Sequence, residues 1–299
     1  MSPFGMAIVV PTLELFANEF QSNYSTIQFI ISAYLFGLAI AQPFMGFLSD
    51  KLGRKPVMIS GIILFIFASY ICMTAEDLST LIIARFFQGI GGSVGTVTSR
   101  AIIRDSYSGD MAAKSLSRVT ATMGMAPMIA PVVGAFALSL TGSPNGIFMV
   151  TLFIGFAILI PVLFFLPETV TKSDSEREKS VWYKSYSKLL RSEIFVGSTF
   201  IYGFTTGSFF AILAVGSTVF SKNLGIESTG FGLIWSSLTI LYASASFYAG
   251  SLTARIGLMS VLNLGVLFNL VAGFFFALMI YITGTNIYSI ILPLSIMFF

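Results

Sequence analysis

The sequence predicts an all-α polytopic membrane protein. Of its 299 residues, 56% are hydrophobic and 10% are charged, whereas about 25% of residues are charged in ordinary soluble domains. Apolar runs close to the ~20 residues that cross a bilayer as a helix recur along the whole chain. Histidine is absent and the single cysteine, Cys72, lies in an apolar run, so neither histidine catalysis nor a disulfide framework is predicted.

Eight complete spans are predicted, with an incomplete span at each end of the sequence. The first incomplete span begins at Phe4, and the last is cut off at Phe299. The complete spans, numbered 2 to 9, occupy residues 27–48, 57–74, 79–103, 113–140, 145–166, 192–220, 230–253 and 258–282. Their glycines and prolines are compatible with helix, because neighbouring helices satisfy freed backbone groups in lipid. The N-terminal run lacks the basic region and cleavage site of a signal peptide.

The basic residues are distributed asymmetrically around these spans. If the loop around Asp50 is cytoplasmic, every Lys and Arg other than Arg85 and Lys222 falls on the cytoplasmic side or at that interface. This is the asymmetry that the positive-inside rule predicts. The net charge of +3 therefore follows from topology, and no nucleic-acid partner is predicted.

Residues 46–61 resemble residues 250–265 at a constant offset. The identical pairs are Gly46/Gly250, Leu48/Leu252, Gly53/Gly257, Val57/Val261 and Gly61/Gly265. Because both segments lie between the second and third spans of a half, we predict a parallel repeat of two six-span units. Chance coincidence of common residues is the alternative.

This repeat predicts three regions. They are an N-terminal six-helix bundle with a shortened first helix at residues 1–166, a cytoplasmic linker at 167–191, and a C-terminal bundle of helices 7 to 10 at 192–299. The linker is the only long polar stretch, and its mixed charges suggest a solvated connection. By the same offset, the partners of spans 5 and 6 would begin beyond Phe299. The sequence is therefore expected to be truncated, with about 10 of 12 helices present.

The segment GFLSDKLGRKP, residues 46–56, concentrates charge between two apolar spans. Asp50 can cap or pair with a neighbouring helix, whereas Lys51, Arg54 and Lys55 lie at the cytoplasmic interface. A topogenic basic loop is the alternative. That alternative explains the bases but neither the acid nor the spacing of the glycines.

Span 4 carries a polar face within an apolar run. Its members, spaced 3, 4, 4 and 3 apart, are Arg85, Gln88, Gly92, Thr96 and Ser99. A charge well inside a span costs at least ~2.5 kcal/mol on insertion scales, and such residues usually face a cavity or a partner. We therefore expect a cavity or proton-coupling role for Arg85 and Gln88. Snorkelling of Arg85 to the outer interface is the alternative.

Span 5 combines prolines and small residues on one helix face. They are Thr120, Gly124, Pro127, Pro131 and Gly134, spaced 4, 3, 4 and 3 apart. Proline removes backbone donors and bends a helix, while glycine lets a second helix approach closely. On these residues alone, the pattern is ordinary membrane architecture.

The charged loop resembles the signature G-x-x-x-D-[KR]-x-G-[RK]-[RK] of the major facilitator superfamily and matches it at every defined position. The resemblance implies a major facilitator fold. It also implies a cytoplasmic gate in which Arg54 pairs with an acid at the end of span 4. The implied gate residues are Gly46, Asp50, Lys51, Gly53, Arg54, Lys55 and Asp105.

Three further stretches extend the resemblance. R-x-x-Q-G at Arg85 is similar to a motif whose arginine is implicated in proton coupling. Span 5 partly matches the antiporter motif G-x-x-x-G-P-x-x-G-G, with Ala130 and Ala135 in place of two glycines. Together with RAIIRD at 100–105 and FFLPET at 164–169, these motifs resemble the Bcr/CflA drug-resistance exporters of the bacterial inner membrane. In that setting the Gly46 loop and the linker are cytoplasmic.

The resemblance implies a secondary active transporter, embedded in the lipid bilayer as a monomer, that exports drug-like small molecules in exchange for protons, with no cofactor besides the proton gradient. Thirty-one phenylalanines and 13 methionines suit a deformable apolar interior, and lipid-facing bulk is the alternative. Polar cavity candidates, each equally compatible with contacts between helices, are Gln28, Ser32, Gln42, Tyr202, Thr205, Thr206 and Tyr242.

Glu14 is the only acid within the apolar part of a helix and is the predicted coupling acid beside Arg85. An exposed position at the outer mouth, next to Asn18 and Glu19, is the alternative. No catalytic or metal-binding constellation is present in the sequence, so an enzyme is not predicted. Two other functions remain open: a truncated remnant that does not transport, and an uptake symporter of the same fold.

Overall fold

The computed structural model is helical throughout the parts of the chain that it describes, residues 1–170, 187–226 and 228–298, and these contain no β-strand. Each of the ten apolar runs coincides with helix, which confirms the predicted all-α fold. The chain divides into two compact units, Met1–Arg191 and Ser192–Phe299. Residues 171–186 of the predicted linker lie outside the described residues.

Residues 1–170 of the first unit form eight α-helices and one 3₁₀ turn. The helices are α1 (Ser2–Ala7), α2 (Leu13–Glu19), α3 (Tyr24–Ile27), α4 (Phe29–Leu52), α5 (Arg54–Met73), α6 (Leu78–Ser106), α7 (Gly109–Thr141) and α8 (Gly146–Phe165). Their core includes a cluster of buried side chains from α5, α6 and α8, with Val57, Ile62, Val94 and Val162 among its members.

The first span is broken, although a single helix was expected. It consists of α1, the 3₁₀ turn Val10–Thr12 and α2. Pro11 lies in the turn, and a proline ring clashes with the carbonyl four residues earlier, which here belongs to Ala7. Proline placement therefore accounts for the end of α1 at Ala7.

The backbones of α4 and α6 cross in direct contact. A Cβ atom added at Gly37 would overlap the carbonyl of Phe86, and one added at Gly89 would overlap the carbonyl of Tyr34. Small residues allow such close approach between membrane helices. The crossing brings the polar face of α6 against α4.

The long helix α7 is bent where the prolines lie. Its segments Arg118–Pro127 and Ile129–Thr141 meet at 42°. Proline removes a hydrogen bond and clashes with the preceding turn, so a kink is expected at this position.

The second unit contains α9 (Glu193–Leu224), α10 (Ser228–Ile256), α11 (Leu258–Thr283) and α12 (Ile287–Phe298). Three aromatic rings form the centre of its described core. The ring centroid of Trp235 lies 5.4 Å from those of Phe209 and Phe298, and the two phenylalanines are 5.3 Å apart. Such pairs contribute beyond their buried area.

A mainly apolar cavity of about 520 Å³ lies between α9, α11 and α12. Its polar lining groups are Thr205, Ser208 and Asn269. Of the predicted cavity residues, Thr205 is in this lining, whereas Tyr202 and Tyr242 are exposed.

The two repeat segments share a backbone feature. Gly53 precedes α5 with φ +102° and ψ 153°, and Gly257 precedes α11 with φ +85° and ψ 156°. Few residues other than glycine adopt such angles. The aligned glycines therefore form the same tight connection in each unit, although Ala254 and Leu258 stand where the first loop has Asp50 and Arg54.

Five helices are long and apolar enough to cross a membrane, or six if the bent α7 counts as one span, among the residues that the structure describes. The five are Tyr24–Leu52, Arg54–Met73, Gly146–Phe165, Glu193–Ile212 and Met259–Thr283. Helix α6 is long enough, but Arg85, Gln88 and many small polar residues lower its mean hydropathy. The apolar segments Gly230–Ala245 and Ile287–Phe298 are shorter.

Candidate functional site

Arg54, the first residue of α5, is buried with 5% of its surface exposed. Its Nε–H donates to Oδ2 of Asp105 at 2.9 Å, and Nη1 donates to Ser49 Oγ at 2.8 Å. Nη1 also forms an ion pair with the Asp50 carboxylate. One guanidinium thus joins the last turns of α4 and α6 to the start of α5. We call Ser49, Asp50, Arg54 and Asp105 the Arg54 cluster.

The charges of the Arg54 cluster are interdependent. Both ion pairs found among the described residues are made by Arg54. Removing one partner of a buried pair leaves an uncompensated charge and is strongly destabilising, whereas an intact pair adds little net stability. Such a cluster is suited to a connection that holds in one conformation and separates in another.

The other predicted gate residues lie around the Arg54 cluster. Lys51 is exposed, and Lys55 Nζ donates to the Leu163 carbonyl at 2.9 Å. Gly46 packs on Val97 of α6, where an added Cβ would meet Cγ1 at 3.6 Å, an ordinary contact. The space at Gly46 therefore does not require glycine.

Glu168 contacts the charged loop of residues 46–56, and it was not among the predicted site residues. Its Oε1 accepts from the Arg54 N–H at 2.9 Å, and Oε2 accepts from the Lys55 N–H at 3.1 Å. Burial alone would raise the pKa of Glu168, but backbone N–H groups, including those of Val170 and Arg54, outweigh it and lower the pKa. The only sequence signal was FFLPET, which gave a resemblance but no contact.

Arg85 is fully buried in α6, so it does not snorkel to the outer interface. Its Nε–H donates to the Ile30 carbonyl at 3.1 Å, and Nη1 donates to the Gly5 carbonyl at 2.9 Å. These acceptors belong to α4 and α1. Arg85 therefore links three helices through backbone oxygens.

Aromatic faces enclose the rest of the Arg85 guanidinium. Its central carbon lies 4.3 Å from the ring centroid of Tyr34 and 5.8 Å from that of Phe148. The Tyr34 hydroxyl donates to the Ser2 carbonyl at 3.0 Å. Cation–π attraction is strongest where the cation is desolvated, as Arg85 is.

Gln88 extends the polar contacts of Arg85 to two more helices. Its Oε1 accepts from Arg85 Nη1 at 2.5 Å. Its Nε2 donates to Ser69 Oγ of α5 at 2.6 Å and to Thr151 Oγ1 of α8 at 3.2 Å. Arg85, Gln88, Ser69 and Thr151, with the Tyr34 ring, are called the Arg85 cluster below.

The Arg85 cluster contains no carboxylate. Glu14 is partly buried in α2 and is not among the groups that bond to Arg85. Arg85 Nη2 is buried without a hydrogen-bond partner among the described residues. The structure therefore does not bring the predicted coupling pair together, and the role of Glu14 stays a prediction.

The predicted antiporter residues of α7 lie close to the first span. Pro127, Pro131 and Gly134 are buried and Gly124 is partly buried. A Cβ added at Gly134 would lie 2.5 Å from the Ile8 carbonyl. Gly134 thus permits close contact between α7 and the segment that follows α1.

The described ranges of the chain hold no group of three or more His, Cys, Asp or Glu residues that could bind a metal ion. The contacts that the two clusters make are ionic contacts, hydrogen bonds and cation–π contacts between helices.

Comparison with known proteins gives a family match over the whole chain. The family described as Major Facilitator Superfamily matches residues 1–299. A Bacillus subtilis (strain 168) protein named "Uncharacterized MFS-type transporter YdgK" is 30% identical over 276 residues, which cover 91% of this chain and 68% of that protein. The "Bicyclomycin resistance protein homolog" of Haemophilus influenzae is 24% identical over 274 residues, covering 91% and 69%.

A solved structure shares the fold. It is the proton:xylose symporter XylE of E. coli bound to 6-bromo-6-deoxy-D-glucose, with a TM-score of 0.77 and 14% identity. The similarity covers 99% of this chain and 75% of that chain. It confirms the predicted major facilitator fold, and at this identity it indicates nothing about the substrate.

Proposed function

Because this chain belongs to the Major Facilitator Superfamily, we propose that it exports drug-like small molecules in exchange for protons by alternating access. Members of this family are membrane transporters of small molecules and not enzymes. The proposal adds the direction of transport, the driving ion and the class of substrate.

The observation that carries the proposal is that one residue, Arg54, connects the ends of three helices. Arg54 holds the ends of α4 and α6 through Asp50 and Asp105. Alternating access requires contacts that are made in one state and broken in the other. A guanidinium shared by two carboxylates supports this role, because an intact pair adds little net stability and the contact can separate when its groups regain water.

Proton coupling is proposed to act through the Arg85 cluster. Arg85 is a buried cation whose partners are neutral, and its Nη2 lacks a partner among the described residues. A buried charge without an opposite charge is costly, so an approaching carboxylate would be strongly attracted. Glu14 is the candidate for that carboxylate in another conformation.

Drug-like substrates are supported by one named relative and by one cavity. The relative from Haemophilus influenzae is named for resistance to bicyclomycin. The cavity of about 520 Å³ in the second unit is mainly apolar, with Thr205 and Asn269 among its polar groups. Ligand sites of this size are commonly apolar with a few polar groups that fix orientation.

We place the Arg54 cluster on the cytoplasmic side of the bacterial inner membrane. The charged loop at Gly46–Pro56 and most of the remaining Lys and Arg residues then lie inside, as the positive-inside rule requires. The chain is proposed to work as a monomer, since each cluster is built within the first unit.

Ethidium accumulation in inverted membrane vesicles tests the proposal. Vesicles containing the chain should accumulate the dye when a proton gradient is imposed, and dissipating the gradient should stop it. Arg85→Ala should abolish the gradient-dependent part. Arg255→Ala is the matched control, because Arg255 is an exposed arginine at the end of α10.

The same assay separates the alternatives. Accumulation that persists without a gradient and is unchanged by Arg85→Ala would contradict proton-coupled export. Proton-driven movement in the opposite direction would indicate an uptake symporter, and absence of transport for a panel of lipophilic dyes and antibiotics would favour a non-transporting remnant.

A further inference from the structure

We propose that Glu168 is a positioning residue of the gate, which braces the start of α5 so that Arg54 meets Asp50 and Asp105. This inference rests on the proposed function, because it assigns Glu168 a part in the same gate. Glu168 lies in the segment that follows α8. It acts through the backbone of Arg54.

The Glu168 carboxylate accepts four backbone hydrogen bonds. Two come from the first residues of α5, Arg54 and Lys55, at 2.9 and 3.1 Å. Two come from its own segment, Thr169 and Val170, both at 3.0 Å. The carboxylate therefore fastens the segment after α8 to the start of α5, 114 residues earlier in the chain.

The first N–H groups of α5 need a partner from elsewhere, because the N-cap residue of the helix is a glycine and has no side chain. The first N–H groups of a helix lack partners within the helix, and the residue that precedes α5 is Gly53. A carboxylate at this position satisfies the donors and interacts favourably with the positive end of the helix dipole. Glu168 supplies from another segment what a Ser, Asp or Asn cap supplies locally.

The shape of the loop leaves room for this carboxylate. Gly53 has φ +102°, and a Cβ at that position would lie 2.6 Å from Glu168 Oε2. Both the backbone angle and the space therefore favour glycine. The gate-motif glycine is thus explained by the contact that the Glu168 carboxylate makes with α5.

Two further bonds lie beside this contact, one between the segment after α8 and α6, and one between the start of α5 and α8. Thr169 Oγ1 donates to Asp105 Oδ2 at 3.3 Å, the oxygen that also receives Arg54 Nε–H. Lys55 Nζ donates to the Leu163 carbonyl in the last turn of α8 at 2.9 Å. Because Glu168 and Thr169 are adjacent, displacing this segment would disturb both the start of α5 and the Asp105 carboxylate.

Two measurements on the full chain in detergent test this without transport. Glu168→Gln should speed hydrogen exchange of the residue 54 and 55 amides about tenfold. It should also speed phenylglyoxal modification of Arg54, read by peptide mass spectrometry, about fivefold, with exposed Arg255 as internal reference. Asp77→Asn is the matched control, because Asp77 caps α6 through the Thr80 N–H at 2.8 Å and does not touch the gate.

Kinetics separate positioning from simple capping. Glu168→Gln should lower kcat for ethidium export about fivefold with KM unchanged, and Glu168→Asp should recover part of the loss. Because the two residues act on the same contact, the double variant with Asp105→Asn should lose about tenfold, no more than Asp105→Asn alone. Faster amide exchange with unchanged Arg54 modification and unchanged kcat would make Glu168 a cap alone and overturn the proposal. If the wild type exports nothing, the proposed function fails, while Arg54 modification still decides the role of Glu168.

Discussion

The Nε–H of Arg54 donates to Oδ2 of Asp105 at 2.9 Å, joining the first residue of α5 to the last turn of α6. The two residues are 51 positions apart, and the Arg54 side chain is only 6% exposed. A guanidinium this buried depends on its partners, whereas the Asp105 side chain is 22% exposed and keeps contact with water. Because Arg54 also pairs with Asp50 of α4, the loss of the Asp105 carboxylate would affect the ends of α4, α5 and α6.

Asp105→Asn should lower kcat for ethidium export about tenfold, with KM changed less than about twofold. The amide keeps the shape of the carboxylate but loses the charge that stabilises Arg54. Removing one partner of a buried ion pair costs several times more free energy than removing one partner of an exposed pair. Initial rates in energised vesicles measure this. Glu193→Gln, at an exposed acid in the first turn of α9, is the matched control. A wild-type rate for Asp105→Asn would remove the gate assignment.

Gly89→Ala should lower the melting temperature of the purified protein markedly, at a cost of about 2 kcal/mol or more. The new Cβ would overlap the Tyr34 carbonyl where α4 and α6 cross. Gly95→Ala is the control in the same helix, since a Cβ there meets nothing within 4 Å. Equal melting temperatures for the two variants would contradict the close helix crossing.

Substitutions at Tyr34 should lower the melting temperature in proportion to the contacts that Tyr34 loses, above all the ring contact with Arg85. Tyr34→Phe keeps the ring face and loses only the hydroxyl bond to the Ser2 carbonyl. Tyr34→Leu removes both, and should cost about 1–2 kcal/mol more than Tyr34→Phe. Thermal unfolding in detergent gives the order. If the two variants have the same melting temperature, the ring does not stabilise the buried guanidinium.

Hydropathy predicted the helices, whereas the Arg54–Asp105 pair was implied only by the resemblance of the charged loop to a known family. It could not predict the partners of Arg85, since the Gly5 and Ile30 carbonyls are backbone atoms without a residue signature. The Glu168 contact was missed for a related reason, because its partners in α5 are backbone N–H groups 114 and 113 residues away. The break of the first span comes from Pro11, which does not interrupt the apolar run and so leaves the hydropathy pattern unchanged.

The cap that Glu168 provides to α5 should persist at lower pH than an ordinary glutamate would allow. Its pKa is lowered, so its stabilisation is fully present above the ordinary value of about 4.3 and is lost as the pH falls through the lower folded value. Within the described part of the chain, the charged residues bonded to Glu168 or to its neighbour Thr169 are Arg54, Lys55 and Asp105. Protection of the residue 54 and 55 amides, corrected for intrinsic exchange, should therefore remain at pH 5. Loss of protection between pH 6 and 5 would contradict the lowered pKa.

Simultaneous recording of substrate and proton movement tests the central claim most directly. Proteoliposomes containing the purified chain and an internal pH dye would be given an outwardly or inwardly directed ethidium gradient. The account predicts that protons move opposite to ethidium, and that Arg85→Ala abolishes the proton signal while Arg255→Ala does not. Ethidium movement without a proton signal, or with protons moving in the same direction, would contradict proton-coupled export.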